Sequence, residues 1–340
     1  MPGVSDMMLL IVGLSLAGVT LSDVIRTVLV PGDSQATLRT PRRLAFLLLP
    51  LWRHMNRRGL SGMFAPIVLI ASFTVWMSLL AAGFGMAAYA LRAAFQPALT
   101  SFADAFYLVG SSLVTVGISE TEVTGGARWI ILGSGFCGLA VMTMAVTYFL
   151  QVQSSTARRD VDVFKLGTSA GDPPSALILL ERFASIHNQS ELGAVLREGR
   201  TWCATVRQSH ATHPSLIYFD SAGTGSAWPA ALGALLDLAL IIQFYIDDDR
   251  LYGPAVLLRD EGTRMAKILV RLAGLEAGAP ATDKAALEQV ASRLAAAGYR
   301  LRDEIDYQQA ASARTEHQIH VAALAEHLGK PTAPLVPPVN

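Results

Sequence analysis

Apolar positions are spread unevenly along this chain of 340 residues. Through residues 7–152 long uncharged runs dominate, whereas from 153 to 330 charge interleaves with short apolar stripes, which predicts a membrane half followed by a soluble half. The first run, Met7 to Val30, holds 24 residues. At ~1.5 Å per residue it makes roughly 36 Å of helix, against a hydrocarbon core of ~30 Å. No Lys or Arg precedes it and no small-residue cleavage site follows, so it reads as a span rather than a signal peptide, ended by Pro31-Gly32. Met63 to Leu91 and Trp129 to Val152 predict the second and third spans, with Pro66 tolerated in a first helical turn. Asp23 and Arg26 lie three apart in the first run and share a face, the placement of a structural pair near the membrane boundary.

The charges between the runs set their direction. "PRRLAFLLLPLWRHMNRRG" carries Arg42, Arg43, Arg53, Arg57 and Arg58 around a nine-residue apolar core, too short to cross, and predicts a helix lying at the interface. By the positive-inside rule that segment is cytoplasmic, as is the end of the third span, followed by Arg158, Arg159 and Lys165. Residues 92–126 carry Arg92 with Asp104, Glu120 and Glu122, acidic on balance, and fall outside. The expected topology is three crossings of the cell (inner) membrane, the amino terminus outside and the C-terminal domain cytoplasmic.

Within the outside loop, "TSFADAFYLVGSSL" places Phe102, Ala105, Phe106 and Val109 on one side of a helix, with Thr100 or Ser101 available as N-cap. At about 13 residues, or roughly 20 Å, it is too short to cross, so it should dip in and stop. Backbone at membrane depth survives only where it is buried in protein or lines water. Something polar is expected to pass or bind there.

A span, a short helix, "VTVGISE" and a second span together resemble the pore module of the potassium-channel superfamily, over residues 63–152. The resemblance implies a homotetramer around one axis, with Thr115, Val116, Gly117, Ile118 and Ser119 as the ion filter and Glu120 as an outer acidic ring. It implies a hinge at Gly138, from which Met142, Val146 and Leu150 fall on one stripe as cavity and gate lining. Gly133 and Gly135 read as helix-packing positions. The family's T-V-G-Y-G-D is altered here: Ile118 replaces an aromatic residue, Ser119 a second glycine, and Glu120 the acid. Holding Ser119 left-handed would cost about 1–2 kcal/mol, which predicts a distorted outer filter and reduced potassium-over-sodium discrimination.

After a linker at 153–173, residues 174–330 predict an all-helical cytoplasmic domain, with Leu258, Met265, Ile268 and Leu272 on one stripe and Leu287, Val290, Leu294, Leu301 and Ile305 on another. A Pro-rich tail, 331–340, reads as disordered. "WPAALGALLDLALIIQFYI" nearly spans, but Asp237 at its centre would cost about 2.5–3.5 kcal/mol on insertion, and a fourth crossing would export the rest of the chain; a buried helix is expected. Gly223-x-Gly225 with Asp247 fits a dinucleotide fingerprint poorly, because Trp228 stands in the third glycine's place. Asp247, Asp248 and Asp249 are weak candidates for a hard cation, and His317, His320 and His327 weaker still for a metal; solvated polar faces explain both.

Composition adds little beyond this. Charged residues make up 16%, well below the quarter usual in soluble domains, while the formal net charge of zero gives no reason to expect a nucleic-acid partner. Cys137 and Cys203 cannot build a disulfide framework. No nucleophile-base or metal constellation suggests an enzyme, no cofactor is expected beyond permeant potassium or sodium ions, and no arginine-every-third helix suggests a voltage sensor. The expected fold is an all-α membrane protein with three spans, a re-entrant pore helix and a helical cytoplasmic domain that assembles or regulates a cation channel. A non-conducting sensor or scaffold that keeps the pore fold is the alternative.

Overall fold

A computed structural model describes residues 3–29, 40–48, 50–51, 64–117, 121–219, 221, 227–277 and 284–337. They are almost wholly helical: α1 (Val4–Leu29), α2 (Thr40–Leu47), α3 (Phe64–Ala90), α4 (Phe102–Leu113), α5 (Ala127–Ala170), α6 (Ala176–Ser185), α7 (Leu192–Thr212), α8 (Ala227–Phe244), α9 (Asp249–Ala273), α10 (Lys284–Ala296) and α11 (Tyr307–Leu328). Two short strands, Phe95–Gln96 and Glu122–Val123, pair antiparallel. The chain divides into two compact units, one of residues 1–53 with 63–152, the other of 54–62 with 153–340.

Helices α1, α3, α5 and α8 are each long and apolar enough to cross a membrane. They differ in what surrounds them. Only 28%, 39% and 17% of the apolar windows of α1, α3 and α5 are buried within the chain, against 94% for α8. The first three therefore present apolar surface outward, while α8 is the apolar centre of the second unit, with Trp228, Leu232, Leu236, Leu240 and Ile241 all fully enclosed.

In the first unit α1 and α3 run antiparallel in close contact. Asp6 meets Arg92 at 2.7 Å near one end, Gly13 faces Gly83 in the middle, and the Trp76 indole N–H donates to Asp23 at 2.9 Å near the other. A Cβ on Gly13 would lie 2.5 Å from the Gly83 carbonyl oxygen, and one on Gly83 2.8 Å from the Gly13 oxygen, so only glycine permits this approach. Gly13→Leu is expected to separate the helices and lower the thermal unfolding temperature of the detergent-solubilised protein. An unchanged transition would show that α1 does not hold α3. The Asp23 carboxylate, fully buried, also accepts from Thr40 Oγ1 at 2.7 Å, which ties α2 to the pair. The interfacial helix expected over 41–59 is described only as far as α2 and residues 50–51; Arg53, Arg57 and Arg58 lie outside the described residues.

In the second unit α8 packs against α6, α7, α9 and α11. Its Asp237 is 1% exposed and takes both Arg314 nitrogens, Nε at 3.0 Å and Nη2 at 3.1 Å, with His317 Nε2 at 3.1 Å. Three differences from the sequence reading stand out. The 153–173 linker is instead the continuation of α5 to Ala170. Arg159 explains why: its buried guanidinium bonds Asp160 at 2.9 Å and the Phe219 carbonyl at 2.9 Å, while the Trp202 indole donates to the Arg159 carbonyl at 3.0 Å. The stripe from Leu287 to Ile305 is broken after Ala296, where Gly298 takes φ +85° and reverses the chain. The tail also packs as far as it is described: Ala333 and Leu335 are buried, and Arg293 donates to the Pro337 carbonyl at 3.4 Å.

Candidate ion-conduction site

Helix α4 starts at a capping box. Ser101 Oγ accepts from the Asp104 N–H at 3.1 Å, and the Asp104 carboxylate accepts from the Ser101 N–H at 2.9 Å and from Thr100 Oγ1 at 2.6 Å. Thr100 first, then Ser101, hold the Asp104 carboxyl below the usual carboxylate range. Both N-cap candidates from the sequence are thus used, Ser101 as cap and Thr100 to brace Asp104. Ala105, Val109, Ser111 and Leu113 are the buried positions of α4, which packs on α3, whereas Phe102 and Phe106 remain partly exposed. The apolar side is therefore rotated from the predicted one, because the aromatic rings cover the flank: Phe102 meets Tyr89 edge-on at 6.4 Å.

The chain leaves α4 through a turn held by serines. The N–H groups of Val116 and Gly117 both donate to the Ser111 carbonyl, at 2.9 and 3.2 Å, and that of Thr115 to the Ser112 carbonyl at 3.0 Å. Thr115 and Gly117 both have φ +62°, while Val116 between them does not share that conformation. Alternating left-handed residues can turn successive carbonyls toward one side. Thr115 holds this conformation despite its Cβ, a strain of about 1–2 kcal/mol. Among the described residues no backbone hydrogen bond ends on the carbonyls of Thr115, Val116 or Gly117. Ile118, Ser119 and Glu120, the rest of the expected filter and its acidic ring, lie outside the described residues.

Beyond the turn, the short ladder of Phe95–Gln96 with Glu122–Val123 joins the segment before α4 to the one after it. Arg128 Nε donates to the Val123 carbonyl at 2.7 Å where α5 begins. Helix α5 then meets the end of α4 at two glycines: a Cβ on Gly135 would lie 3.2 Å from Ser112 Oγ, and one on Gly138 would overlap the Leu113 carbonyl. Gly138, read as a hinge, sits in an unbroken helix at this tight approach, while a Cβ on Gly133 would meet only the Phe84 ring, at 4.0 Å. Ser112 Oγ also donates to the Ile131 carbonyl at 3.1 Å. Of the stripe below, Met142 is half-buried, and Val146 and Leu150 are each 60% exposed in the single chain.

The weak metal candidates are engaged elsewhere. Asp247 pairs with Arg300 at 2.8 Å, and Asp248 caps α9 and takes the Arg250 guanidinium at 3.1 Å, which lowers its carboxyl pKa. Arginine, rather than a cation site, gathers at this turn; Asp249 is exposed in the first turn of α9. The histidines do not form the solvated face read from the sequence: His317 is fully buried and bonds Asp237, His320 is half-buried, and the half-buried His327 ring lies 5.8 Å from that of Tyr218. Among the described residues no group of three or more His, Cys, Asp or Glu side chains comes together as a metal site. Gly223 and Gly225 lie outside the described residues.

Two features were missed in the sequence. Ser111 and Ser112 supply the carbonyls that shape the turn, and their only signal was polarity at the end of an apolar helix. Arg159 anchors α5 in the second unit, yet in the sequence it is one of several basic residues after a span. No protein-family model, no curated protein and no solved structure matches this chain.

Proposed function

We propose that the chain is the subunit of a homotetrameric cation channel of the cell membrane, conducting potassium or a mixture of monovalent cations. Helices α1, α3 and α5 cross the bilayer, the amino terminus and the α3–α5 loop lie outside, and the second unit is cytoplasmic. One observation carries this reading: the turn after α4 presents Thr115, Val116 and Gly117 with alternating φ and with carbonyls that receive no hydrogen bond among the described residues. In lipid such oxygens need a partner, and a dehydrated cation supplies one. The carboxyl end of α4, where its dipole is negative, ends at this turn and favours a cation there. The outward apolar surface of α5, with Trp129, Leu132, Phe136 and Leu139 exposed, supports contact with lipid or with neighbouring copies. No enzymatic role is proposed.

Rubidium and sodium flux into liposomes holding the purified protein tests conduction and selectivity together. Uptake of rubidium, with sodium admitted more readily than a T-V-G-Y-G filter allows, is expected; a folded protein that passes neither ion would overturn the channel. Topology is tested with single cysteines replacing Val4, Glu122 and Glu276 in a chain lacking Cys137 and Cys203. An impermeant maleimide added outside should label the first two only. Labelling of position 276 from outside would make α8 a fourth crossing.

A further inference from the structure

A cavity of about 210 Å³ opens in the second unit between the continuation of α5 and helices α6, α7 and α8. Its walls are apolar, formed by Leu166, Leu179 and Leu235 with the rings of Phe183 and Trp202. Its polar residues are unequal in charge: Asp162 and Glu198 against Lys165. Lys165 already reaches Asp162 at 3.2 Å, and all three side chains are solvent-accessible, so the acids lie at the mouth rather than the floor. Gly199 leaves part of the space, since a Cβ there would come within 3.0 Å of Leu235.

We propose that this cavity binds a small organic cation with an apolar body, of the aryl-alkyl amine class, as a regulatory ligand. The volume limits the ligand to a single ring with a short chain. Aromatic rings attract an ammonium group through their negative faces, and two carboxylates beside one ammonium leave the mouth a net negative charge that selects cations over anions. An amine entering there can take the place of Lys165 against Asp162 while its ring displaces water from the leucine walls. The Trp202 indole edge is fixed by its hydrogen bond to the Arg159 carbonyl, so one wall of the cavity is tied directly to α5, which also supplies Asp162, Lys165 and Leu166. Occupancy therefore bears on the helix that follows the filter turn. That regulatory consequence rests on the channel reading; the binding does not.

The test uses the full chain in nanodiscs and three probes of one shape: 2-phenylethylamine, 2-phenylethanol and 3-phenylpropionate, measured by ligand-observed NMR. Saturable binding of the amine is expected, with the alcohol at least about tenfold weaker and the carboxylate not saturable. Glu198→Gln combined with Asp162→Asn should weaken the amine about tenfold and leave the alcohol unchanged, as both acids are at the surface and the fold does not need them. Ser169→Phe, which places a ring in the cavity, should remove saturable binding of both while the circular dichroism of the protein is kept. Equal binding of all three probes, amine binding that survives Ser169→Phe, or no saturable amine binding would each overturn the site. Amine binding without any change in rubidium flux would overturn only the regulatory role, and a protein that binds the amine but passes no ion would overturn the channel and leave the site standing.

Discussion

In the proposed tetrameric channel, Gly117→Ala is expected to reduce rubidium flux by several orders of magnitude while assembly is kept. The cause is conformational. An added Cβ meets no atom within 4 Å in the single chain, yet at φ +62° an L-residue is disfavoured by about 1–2 kcal/mol relative to its other basins. A difference of ~1.4 kcal/mol is tenfold in population. If all four subunits must hold the conformation together, about tenfold in each compounds to roughly 10⁴. Alanine of opposite chirality, introduced by semisynthesis, prefers positive φ and should retain flux, which separates backbone handedness from bulk. Flux unchanged in the L-alanine protein would show that ions do not pass Gly117.

The second large effect lies at Asp237. Removing one partner of a buried ion pair strands the other charge and typically costs about 3–5 kcal/mol, so Arg314→Met should sharply raise hydrogen exchange in α8 and α11. Burial pushes the Asp237 carboxyl up, but Arg314 and His317 outweigh it and hold the carboxyl below its ordinary value. A depressed folded pKa gives a contribution that is full above the unfolded value of ~3.9 and fades as pH falls through the folded one. In Arg314→Met the sign reverses, because burial now dominates; the variant should recover part of its protection on acidification, while the parent should not. Asp237→Leu with Arg314→Met, which removes both charges, should exchange more slowly than Arg314→Met alone. Equal exchange in the parent and in Arg314→Met would show that the pair does not hold the unit together. Asp237→Leu alone raises the hydropathy of a helix already able to span. A cysteine replacing Glu276 in that variant, if labelled from outside, would identify Asp237 as the residue that keeps α8 out of the bilayer.

Acid acts more gently on the capping box. Protonating Asp104 removes the charge that strengthens its bonds from Thr100 and Ser101, so the cap's contribution is present above ~3.9 and is lost as pH falls through the depressed value. Asp104→Asn is expected to cost about 1 kcal/mol of helix stability at neutral pH and to remove this acid dependence in hydrogen exchange of α4. If wild type and variant respond identically to acid, the box does not stabilise α4.

What the sequence determined by itself was whatever depends on local patterning. Unbroken apolar runs mark α1, α3 and the start of α5 within a few residues, since a helix able to span needs length and hydropathy and little else. Serine before a helix with an acid three residues on marks the cap of α4, because that bond lies within one turn. Tertiary structure decided the rest. The apolar windows of α8 and α3 have mean hydropathies of 1.7 and 2.1, so hydropathy does not separate them, and in the sequence only Asp237 marks α8 as a buried helix. The partner that matches the buried charge of Asp237, Arg314, lies seventy-seven residues away and is brought to it only by the fold. A break in apolar pattern after Val152 reads as a linker, but the helix continues because Arg159 finds carbonyls at Leu216 and Phe219. Likewise the sequence gives no sign that Thr115 is left-handed; that follows from the turn in which the N–H groups of Thr115, Val116 and Gly117 reach back to Ser112 and Ser111, which only the fold brings within reach, while Ser119 lies outside the described residues. Periodicity records which face of a helix is apolar; which distant partner satisfies a charge or a backbone group is fixed only when the chain closes on itself.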